Sequence, residues 1–364
     1  MPNRSEKHPE MIFRSEQPLN AEPPMELLRQ SFTTPAKLFF VRNHGSIPEI
    51  DADRYRLSIG GMVQRELCLS LDEICEHFPE STVTATLQCA GNRRQDLTEV
   101  APIPGEVPWS AGAIGTAEWR GTSLREVLQA AGVEPGALHA AFTGLDKVEM
   151  DDQTFGFGGS IPIEKATSPE VVLAYEMNGE PLTPEHGAPL RVVAPRYIGA
   201  RSVKWLASIV LQAEPSSNYY QTHAYKIFPP QVEEETADWE KGLMLAELSV
   251  NAIICRPTQE ETVPAGPFSV QGYAITGGER SVERVDVSTD GGETWTTADL
   301  QEGNDPWAWR LWETSVDLSP GRYEIVARAW DLAANTQPEL AEQVWNFKGY
   351  MDNSWHRIEV FCTD

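Results

Sequence analysis

The chain has 364 residues, with 54 acidic and 29 basic side chains and a formal net charge of −25. This acidity disfavours nucleic acids and anionic membranes, which are bound through basic surfaces, and it suits either plain solubility or a basic protein partner. The length predicts two domains, and no segment approaches the roughly 20 consecutive apolar residues of a membrane-spanning helix.

Residues 1–30 mix Pro, Glu, Arg and Ser without periodicity and predict an extended N-terminal arm. The start is polar and lacks the apolar run of a secretory signal. We therefore expect a cytoplasmic protein as the sequence stands, with the periplasm as the alternative if the N-terminus is processed. The apolar run 37–41 predicts the first strand, and the alternation over 54–71 predicts strand structure.

Local signals then become sharper. Ser70 and Glu73 have the spacing of a capping box and predict the start of a short helix. Residues 83–87 alternate and predict a strand that ends just before Cys89. Apolar side chains at helical spacing predict a helix over 124–131, with Ser123 as its cap. Three further apolar segments predict buried strands, at 171–175, 190–193 and 202–211.

A polar, acidic segment at 231–241 predicts the boundary between two domains. Beyond it, helical signals give way to short strand-like segments, and Asp290-Gly291-Gly292 predicts a hairpin turn. These segments are 246–255, 268–276, 282–288, 294–300, 307–318, 322–329 and 344–347. Such a series of strands is typical of an immunoglobulin-like sandwich.

The five cysteines lie at 68, 75, 89, 255 and 362, without a Cys-x-x-Cys pair, so neither a disulfide framework nor a cysteine-rich zinc site is expected. Cys89 differs from the others because Arg93 and Arg94 follow in the same small-residue turn. Nearby cations favour the thiolate, which is a nucleophile or a soft-metal ligand. The alternative is that Cys89 is a small buried hydrophobic residue, as we expect for the other four.

Two more clusters combine basic and hydrogen-bonding side chains. The first is Arg42-Asn43-His44, after the first predicted strand, whose side chains suit a polar ligand. The alternative is that these residues form an exposed loop. The second spans 186–191 and 199–204, where arginine, lysine and histidine suit a phosphate or a sulfur oxyanion. Its alternative is a set of surface salt bridges. Neither a Walker A motif nor a dinucleotide-binding glycine motif is present.

These clusters belong to an ordered series of motifs. They are FVRNH at 40–44, LQCAGNRR at 87–94, WSAGAI at 109–114, AEWRG at 117–121, SIP at 160–162, LAYEMNGEPL at 173–182, VKWL at 203–206, STDGGETW at 288–295, WAW at 307–309 and WN at 345–346. In these motifs the chain resembles the sulfite oxidase family of molybdenum enzymes, from about residue 39 onward.

The resemblance implies molybdenum on one molybdopterin and on the thiolate of Cys89, with no haem or flavin in this chain. It implies that sulfite, or a related sulfur oxyanion, is oxidised to sulfate by oxygen-atom transfer. The electrons would go to a separate acceptor such as a c-type cytochrome, and the sandwich would make a homodimer. Two other functions stay open: reduction of a sulfoxide, nitrate or other oxo-compound at the same centre, and cofactor-free binding on the same scaffold.

The resemblance also implies roles for individual residues. Arg42, Arg94, Trp109 and Tyr225 match the family's substrate pocket, although Trp109 has core packing as a serious alternative. The cofactor would be held by Arg42, His44, Cys89, Asp146, His186, Arg191, Arg201, Ser202 and Lys204.

Two positions depart from the animal enzymes of this family. Ala224 replaces an acidic residue before the pocket tyrosine, and Lys348 replaces an arginine of the substrate pocket. Lysine keeps the charge but loses the planar fork, which predicts weaker sulfite binding or a different substrate. The expected fold is α+β: an arm over 1–30, a mixed α+β molybdopterin domain over 31–240, and an all-β immunoglobulin-like sandwich over 241–364.

Overall fold

The computed structural model describes residues 7–150, 153–303 and 305–364. Its helices are α1 (Met25–Leu28), α2 (Leu71–His77), α3 (Arg94–Thr98), α4 (Leu124–Ala131) and α5 (Ile163–Ala166). Short 3₁₀ helices span Ala52–Arg54, Pro184–His186, Gly199–Arg201, Glu234–Thr236 and Ala341–Gln343, and a π-helical turn spans Tyr220–Ala224. No helix in the described ranges is long and apolar enough to span a membrane.

The first part of the chain mixes these helices with short strands. The strands are β1 (Ile12–Glu16), β2 (Leu19–Glu22), β3 (Leu57–Gly61), β4 (Leu67–Leu69), β5 (Glu80–Gln88), β6 (Ile114–Ser123), β7 (His139–Gly144), β8 (Val148–Met150), β9 (Gln153–Phe155), β10 (Gly158–Pro162), β11 (Val172–Met177), β12 (Glu180–Pro181), β13 (Arg191–Val193), β14 (Leu206–Gln212), β15 (Lys226–Ile227) and β16 (Leu243–Met244).

Two five-stranded sheets organise this part. One has the order β10-β7-β14-β3-β4, and the other has the order β12-β11-β6-β5 with β13 also paired to β11. The pairing of β5 with β6 is antiparallel from Glu80 opposite Thr122 to Gln88 opposite Ile114. This register fixes where β5 ends, and therefore where Cys89 lies.

Several local predictions are confirmed. Ser70 and Glu73 form the capping box that begins α2, with hydrogen bonds in both directions. Helix α4 has the predicted bounds because its apolar residues recur on one buried face. Ser123 occupies its N-cap position, but its side chain makes no capping hydrogen bond.

Three other local predictions are wrong. The stretch predicted as an extended arm contains the β1–β2 hairpin and α1. Residues 37–41 form turns in place of a strand, because the amides of Leu38 and Phe39 both donate to the carbonyl of Pro35. The strand expected over 202–211 begins only at Leu206, after Trp205 with its positive φ of 51°.

The second part of the chain consists mainly of strands. They are β17 (Asn251–Arg256), β18 (Glu261–Pro264), β19 (Gly266–Ile275), β20 (Val282–Ser288), β21 (Thr296–Thr297), β22 (Asp299–Leu300), β23 (Arg310–Leu318), β24 (Gly321–Asp331) and β25 (His356–Thr363). One sheet has the order β17-β19-β23-β22 and the other β18-β25-β24-β20-β21. Both contribute to one apolar core, so the predicted all-β sandwich is confirmed.

The sandwich prediction fails at its C-terminal end. Residues 344–347 form no strand, and the last strand is β25. The indole of Trp345 donates to the carbonyl of Ala101, and Phe347 stacks on Phe228 at 5.2 Å. These apolar side chains therefore pack against the first part of the chain. The domain limits at 30 and 240 stay a prediction.

Candidate active site

A cavity lies where strand ends and loops of the first part meet. Its walls bring together most of the side chains that the sequence predicted for a cofactor site. They are Arg42, His44, Cys89, Asp146, His186, Arg191, Ser202, Lys204 and Tyr225. Phe39, Phe40, Phe157 and Trp205 add aromatic surface. The walls thus combine one thiol, several cations and flat apolar faces.

Cys89 follows the end of β5, and its side chain is 5% exposed. Its sulfur accepts a hydrogen bond from the amide of Gly91 at 3.4 Å. A Cβ on Gly199 would lie 3.0 Å from the carbonyl oxygen of Gln88, so glycine lets the 199–201 turn approach the strand end. Backbone geometry therefore holds a single thiol at the cavity wall.

Arg191 and Lys204 form a buried cationic wall. Arg191 donates to the carbonyl oxygens of His186 at 2.9 Å and Ser202 at 3.2 Å, and Lys204 donates to that of Glu185 at 2.8 Å. Burial lowers the pKa of Arg191 to about 9. Burial, and then Arg191, lower the pKa of Lys204 well below its usual value. Cations that lose water without a close carboxylate partner are stabilised by a bound anion.

His186 contacts a lysine from the far N-terminal part of the chain. The ammonium of Lys7 lies 2.7 Å from Nε2 of His186, 2.8 Å from the carbonyl oxygen of Ala36 and 3.2 Å from Oε1 of Glu185. Because an ammonium only donates, Nε2 accepts and the proton of the neutral ring is on Nδ1. Burial, and then Lys7, lower the pKa of His186 well below its usual value. No sequence signal pointed to Lys7.

Tyr225 and His44 form a second contact at the cavity wall. The hydroxyl of Tyr225 lies 2.9 Å from Nε2 of His44. Burial raises the pKa of Tyr225, and burial followed by Arg42 lowers the pKa of His44, so both groups are neutral near pH 7. Burial alone would lower the pKa of Arg42, but the anionic forms of Tyr225, Cys89, Tyr350 and Glu106 together outweigh it and raise the pKa. Arg42 is therefore a permanent cation that interacts with Cys89.

Arg93 does not have the expected role beside the thiol. Its guanidinium pairs with Asp96 at 2.8 Å and Asp352 at 3.6 Å and donates to the carbonyl of Ser354 at 2.7 Å. Arg93 therefore ties the turn after β5 to the C-terminal segment. Arg42, which lines the cavity together with Cys89, is the cation that interacts with this sulfur instead.

Arg94 and Lys348, predicted for the substrate pocket, lie outside the cavity lining. Arg94 donates to the carbonyl oxygens of Val107 at 2.7 Å and Lys348 at 2.9 Å. The ammonium of Lys348 lies 2.7 Å from Oε1 of Glu106. Glu106 was not singled out from the sequence, and no motif marks it.

Trp109 and Arg201 are also outside the lining. Trp109 is fully buried at 0% exposure, which agrees with the core-packing alternative. Arg201 donates to the carbonyl of Leu245 at 2.6 Å, and burial lowers its pKa to about 10. Its Nη1 is buried without a partner among the described residues. The roles of all these residues stay predictions.

Asp146 is held by the backbone. Its Oδ1 accepts a hydrogen bond from the amide of Phe157 at 3.0 Å, and burial raises its pKa. Ser202 accepts from the amide of Ala194 at 3.0 Å. Backbone hydrogen bonds therefore fix both side chains in the wall.

The donor set fits a metal that is bound through a cofactor. No group of three or more His, Cys, Asp or Glu side chains placed to hold a metal occurs within the described ranges. A metal at this cavity would therefore take Cys89 as its protein ligand and its other ligands from an organic group. The buried cations Arg191 and Lys204 in the wall favour an anionic group. A thiolate selects a soft metal.

Two family models match the chain. The model of the oxidoreductase molybdopterin binding domain matches residues 44–220, and the model of the Mo-co oxidoreductase dimerisation domain matches residues 243–362. The first match contains most of the cavity lining. The second covers the sandwich.

Similar proteins carry related names. The sulfite oxidase of Gallus gallus is 45% identical, over 96% of this chain and 78% of its own length. The mitochondrial sulfite oxidase of Macaca fascicularis is 44% identical over 98% of this chain, which spans about two thirds (66%) of that protein. The crystal structure of the sulfane dehydrogenase SoxCD from Paracoccus pantotrophus aligns with a TM-score of 0.83 at 26% identity, covering 98% of this chain and 89% of that one.

Proposed function

Because the chain belongs to the sulfite oxidase family and contains a molybdopterin-binding domain, we propose that it oxidises sulfite, or a related sulfur oxyanion, to sulfate. The observation that carries this proposal is the cavity that combines the thiol of Cys89 with the buried cations Arg42 and Lys204. A thiolate binds a soft metal, and buried cations bind an anionic cofactor and an oxyanion substrate.

The cofactor in this proposal is molybdenum with one molybdopterin. When bound, this group supplies oxygen-atom transfer and two-electron redox chemistry. Cys89 would hold the metal. The pterin would be held by the predicted anchoring set, which is His44, Asp146, His186, Arg191, Arg201, Ser202 and Lys204.

Arg42 and Tyr225 would act on the substrate. Arg42 keeps its charge under all ordinary conditions and would attract the oxyanion. Tyr225 stays protonated. If the proton of neutral His44 is on Nε2, that ring donates to the Tyr225 oxygen and leaves the hydroxyl hydrogen free to bond an oxyanion oxygen.

The electrons would leave to a separate protein. The net charge of −25 supports a basic acceptor such as a c-type cytochrome, because opposite charges speed encounter. The dimerisation domain supports a homodimer.

Metal analysis and turnover test the proposal together. We expect about one molybdenum per chain and sulfite-dependent reduction of ferricyanide or cytochrome c by the loaded protein. A protein that binds molybdenum and only reduces sulfoxides or nitrate with a chemical reductant would support the reductase alternative. A protein that binds no molybdenum under loading conditions would support the cofactor-free alternative.

A further inference from the structure

Three charged side chains meet beside the cavity, where the loop after α3 contacts the C-terminal segment. Oε1 of Glu106 lies 2.7 Å from Nζ of Lys348, and Oε2 lies 3.6 Å from Nη2 of Arg94. The three side chains are largely buried, at 16% exposure for Glu106, 17% for Lys348 and 3% for Arg94. One carboxylate therefore serves as counter-ion to two cations in a low-dielectric environment, where charge interactions are strong.

This cluster adjoins the cavity wall. A Cβ on Gly91 would lie 2.4 Å from Nη2 of Arg94, so the guanidinium packs directly against the turn that follows Cys89. The same guanidinium lies 5.0 Å from the ring centre of Tyr350, which stacks on Tyr225 at 5.2 Å. Glu106 is thus separated from the thiol turn by one side chain, Arg94, and from Tyr225 by two, Arg94 and Tyr350.

Glu106 lowers the net positive charge on this side of the cavity. Arg42, Arg94 and Lys348 each carry one positive charge, and Glu106 is the largely buried carboxylate that offsets them. Without its charge the site would be more positive by one unit, and a sulfate or sulfite dianion would bind more tightly. Tight binding of a product dianion slows its release and gains nothing for the chemical step.

We propose that Glu106 is a specificity-determining residue that weakens oxyanion binding, so that the product dianion leaves the site. The inference rests on the proposed function, because it takes sulfite as substrate and sulfate as product. It deepens that function by assigning the control of anion affinity to a carboxylate that does not line the cavity.

The test replaces Glu106 by glutamine, which keeps the shape and removes the charge. Sulfate binding to the molybdenum-loaded variant is measured by calorimetry at fixed ionic strength, and sulfate inhibition and the KM for sulfite are measured by turnover. We expect the Kd and the inhibition constant for sulfate to fall about tenfold, and the KM to fall with them. Damage to the fold would instead weaken sulfate binding.

Glu234 offers a matched control. Its carboxylate lies 3.6 Å from the ammonium of Lys348, but its side chain is 52% exposed, so solvent screens the pair. We expect Glu234→Gln to change sulfate affinity less than about twofold. Lys348→Gln should weaken sulfate binding, because it removes one of the two cations that neutralise the carboxylate of Glu106.

The outcomes separate this inference from the proposed function. Sulfate binding that is unchanged or weaker in Glu106→Gln, with native molybdenum content, would overturn the role of Glu106. So would the absence of sulfate binding in both proteins. If sulfate binding tightens while the wild-type protein fails to oxidise sulfite, the proposed function fails and the role of Glu106 in anion affinity stands.

Discussion

The hydroxyl of Tyr225 lies 2.9 Å from Nε2 of His44, which joins a residue predicted to act on the substrate to one predicted to hold the cofactor. The two are 181 positions apart in the chain. Tyr225 follows the π-helical turn at Tyr220–Ala224, and the ring of His44 stacks on Phe157 at 4.5 Å. The contact means that the position of the hydroxyl depends on the histidine.

Removing this hydroxyl tests its role. We expect Tyr225→Phe to lower kcat/KM for sulfite by about a hundredfold while molybdenum content stays native, because one hydrogen bond to a developing charge is lost. Tyr220→Phe is the matched control, since it also removes a tyrosine hydroxyl and keeps a ring that lies 4.3 Å from that of His44. Full turnover by Tyr225→Phe would show that the hydroxyl has no part in the reaction.

The cofactor-free protein should lose stability as the pH falls from about 7 to 5. His44 and His186 have folded-state pKa values well below the ordinary 6.5 because of burial, so protons bind the unfolded chain first and favour it. Each such group contributes up to about 1.4 kcal/mol per pH unit in this range. His356 behaves in the same way.

Chemical denaturation at several pH values measures this slope. We expect His44→Gln and His186→Gln to make it shallower, whereas His77→Gln at an exposed position serves as the control. A slope that is unchanged in the two buried-histidine variants would contradict the assignment of the pH dependence to these histidines.

Sulfate or phosphate should raise the stability of the cofactor-free protein more than chloride at equal ionic strength, since the buried cations of the cavity bind polyvalent anions.

Lys7 should be needed to retain the cofactor. Its ammonium contacts His186 and the carboxylate of Glu185, which is 5% exposed. Lys7→Met therefore removes the ammonium that pairs with this buried carboxylate. We expect molybdenum and pterin to leave the variant at least about tenfold faster during dialysis. Lys37→Met, at an exposed position, is the control. Equal retention in Lys7→Met and in the wild type would mean that the N-terminal segment does not support the site.

Turnover with a basic cytochrome should fall as salt is raised. A net charge of −25 attracts a cation, and about 0.2 M salt screens that attraction. Ferricyanide, an anion, gives the opposite expectation: its rate should rise with salt because repulsion is screened. The same salt dependence for both acceptors would contradict electrostatic docking of the cytochrome.

Short-range signals account for what the sequence predicted correctly. The Ser70–Glu73 capping box and helix α4 each depend on contacts within a few residues. Strand β5 was found because its alternation is local, and its end places Cys89 in the cavity. Local clusters of basic and hydrogen-bonding residues also marked 42–44, 186–191 and 199–204, whereas Asp146 and Tyr225 were identified through the resemblance alone.

Long-range packing accounts for what the sequence missed. Residues 37–41 are apolar, but Phe39 and Phe40 are both buried next to one another, which a strand with one exposed face does not allow. Trp345 and Phe347 have strand-like character and yet pack against the first part of the chain. The contacts of Lys7 and Glu106 join segments 179 and 242 positions away, so no sequence window contains them. The cellular location stays a prediction.

The proposed function makes Cys89 the protein ligand of molybdenum in a sulfite-oxidising centre. The most direct measurement compares sulfite-dependent ferricyanide reduction by the wild-type protein and by Cys89→Ser, both loaded in parallel and assayed for molybdenum. We expect turnover by the wild-type protein and a loss of at least about a hundredfold in the variant, because a hydroxyl is a poor ligand for a soft metal. Wild-type turnover no higher than that of Cys89→Ser would contradict this role of Cys89.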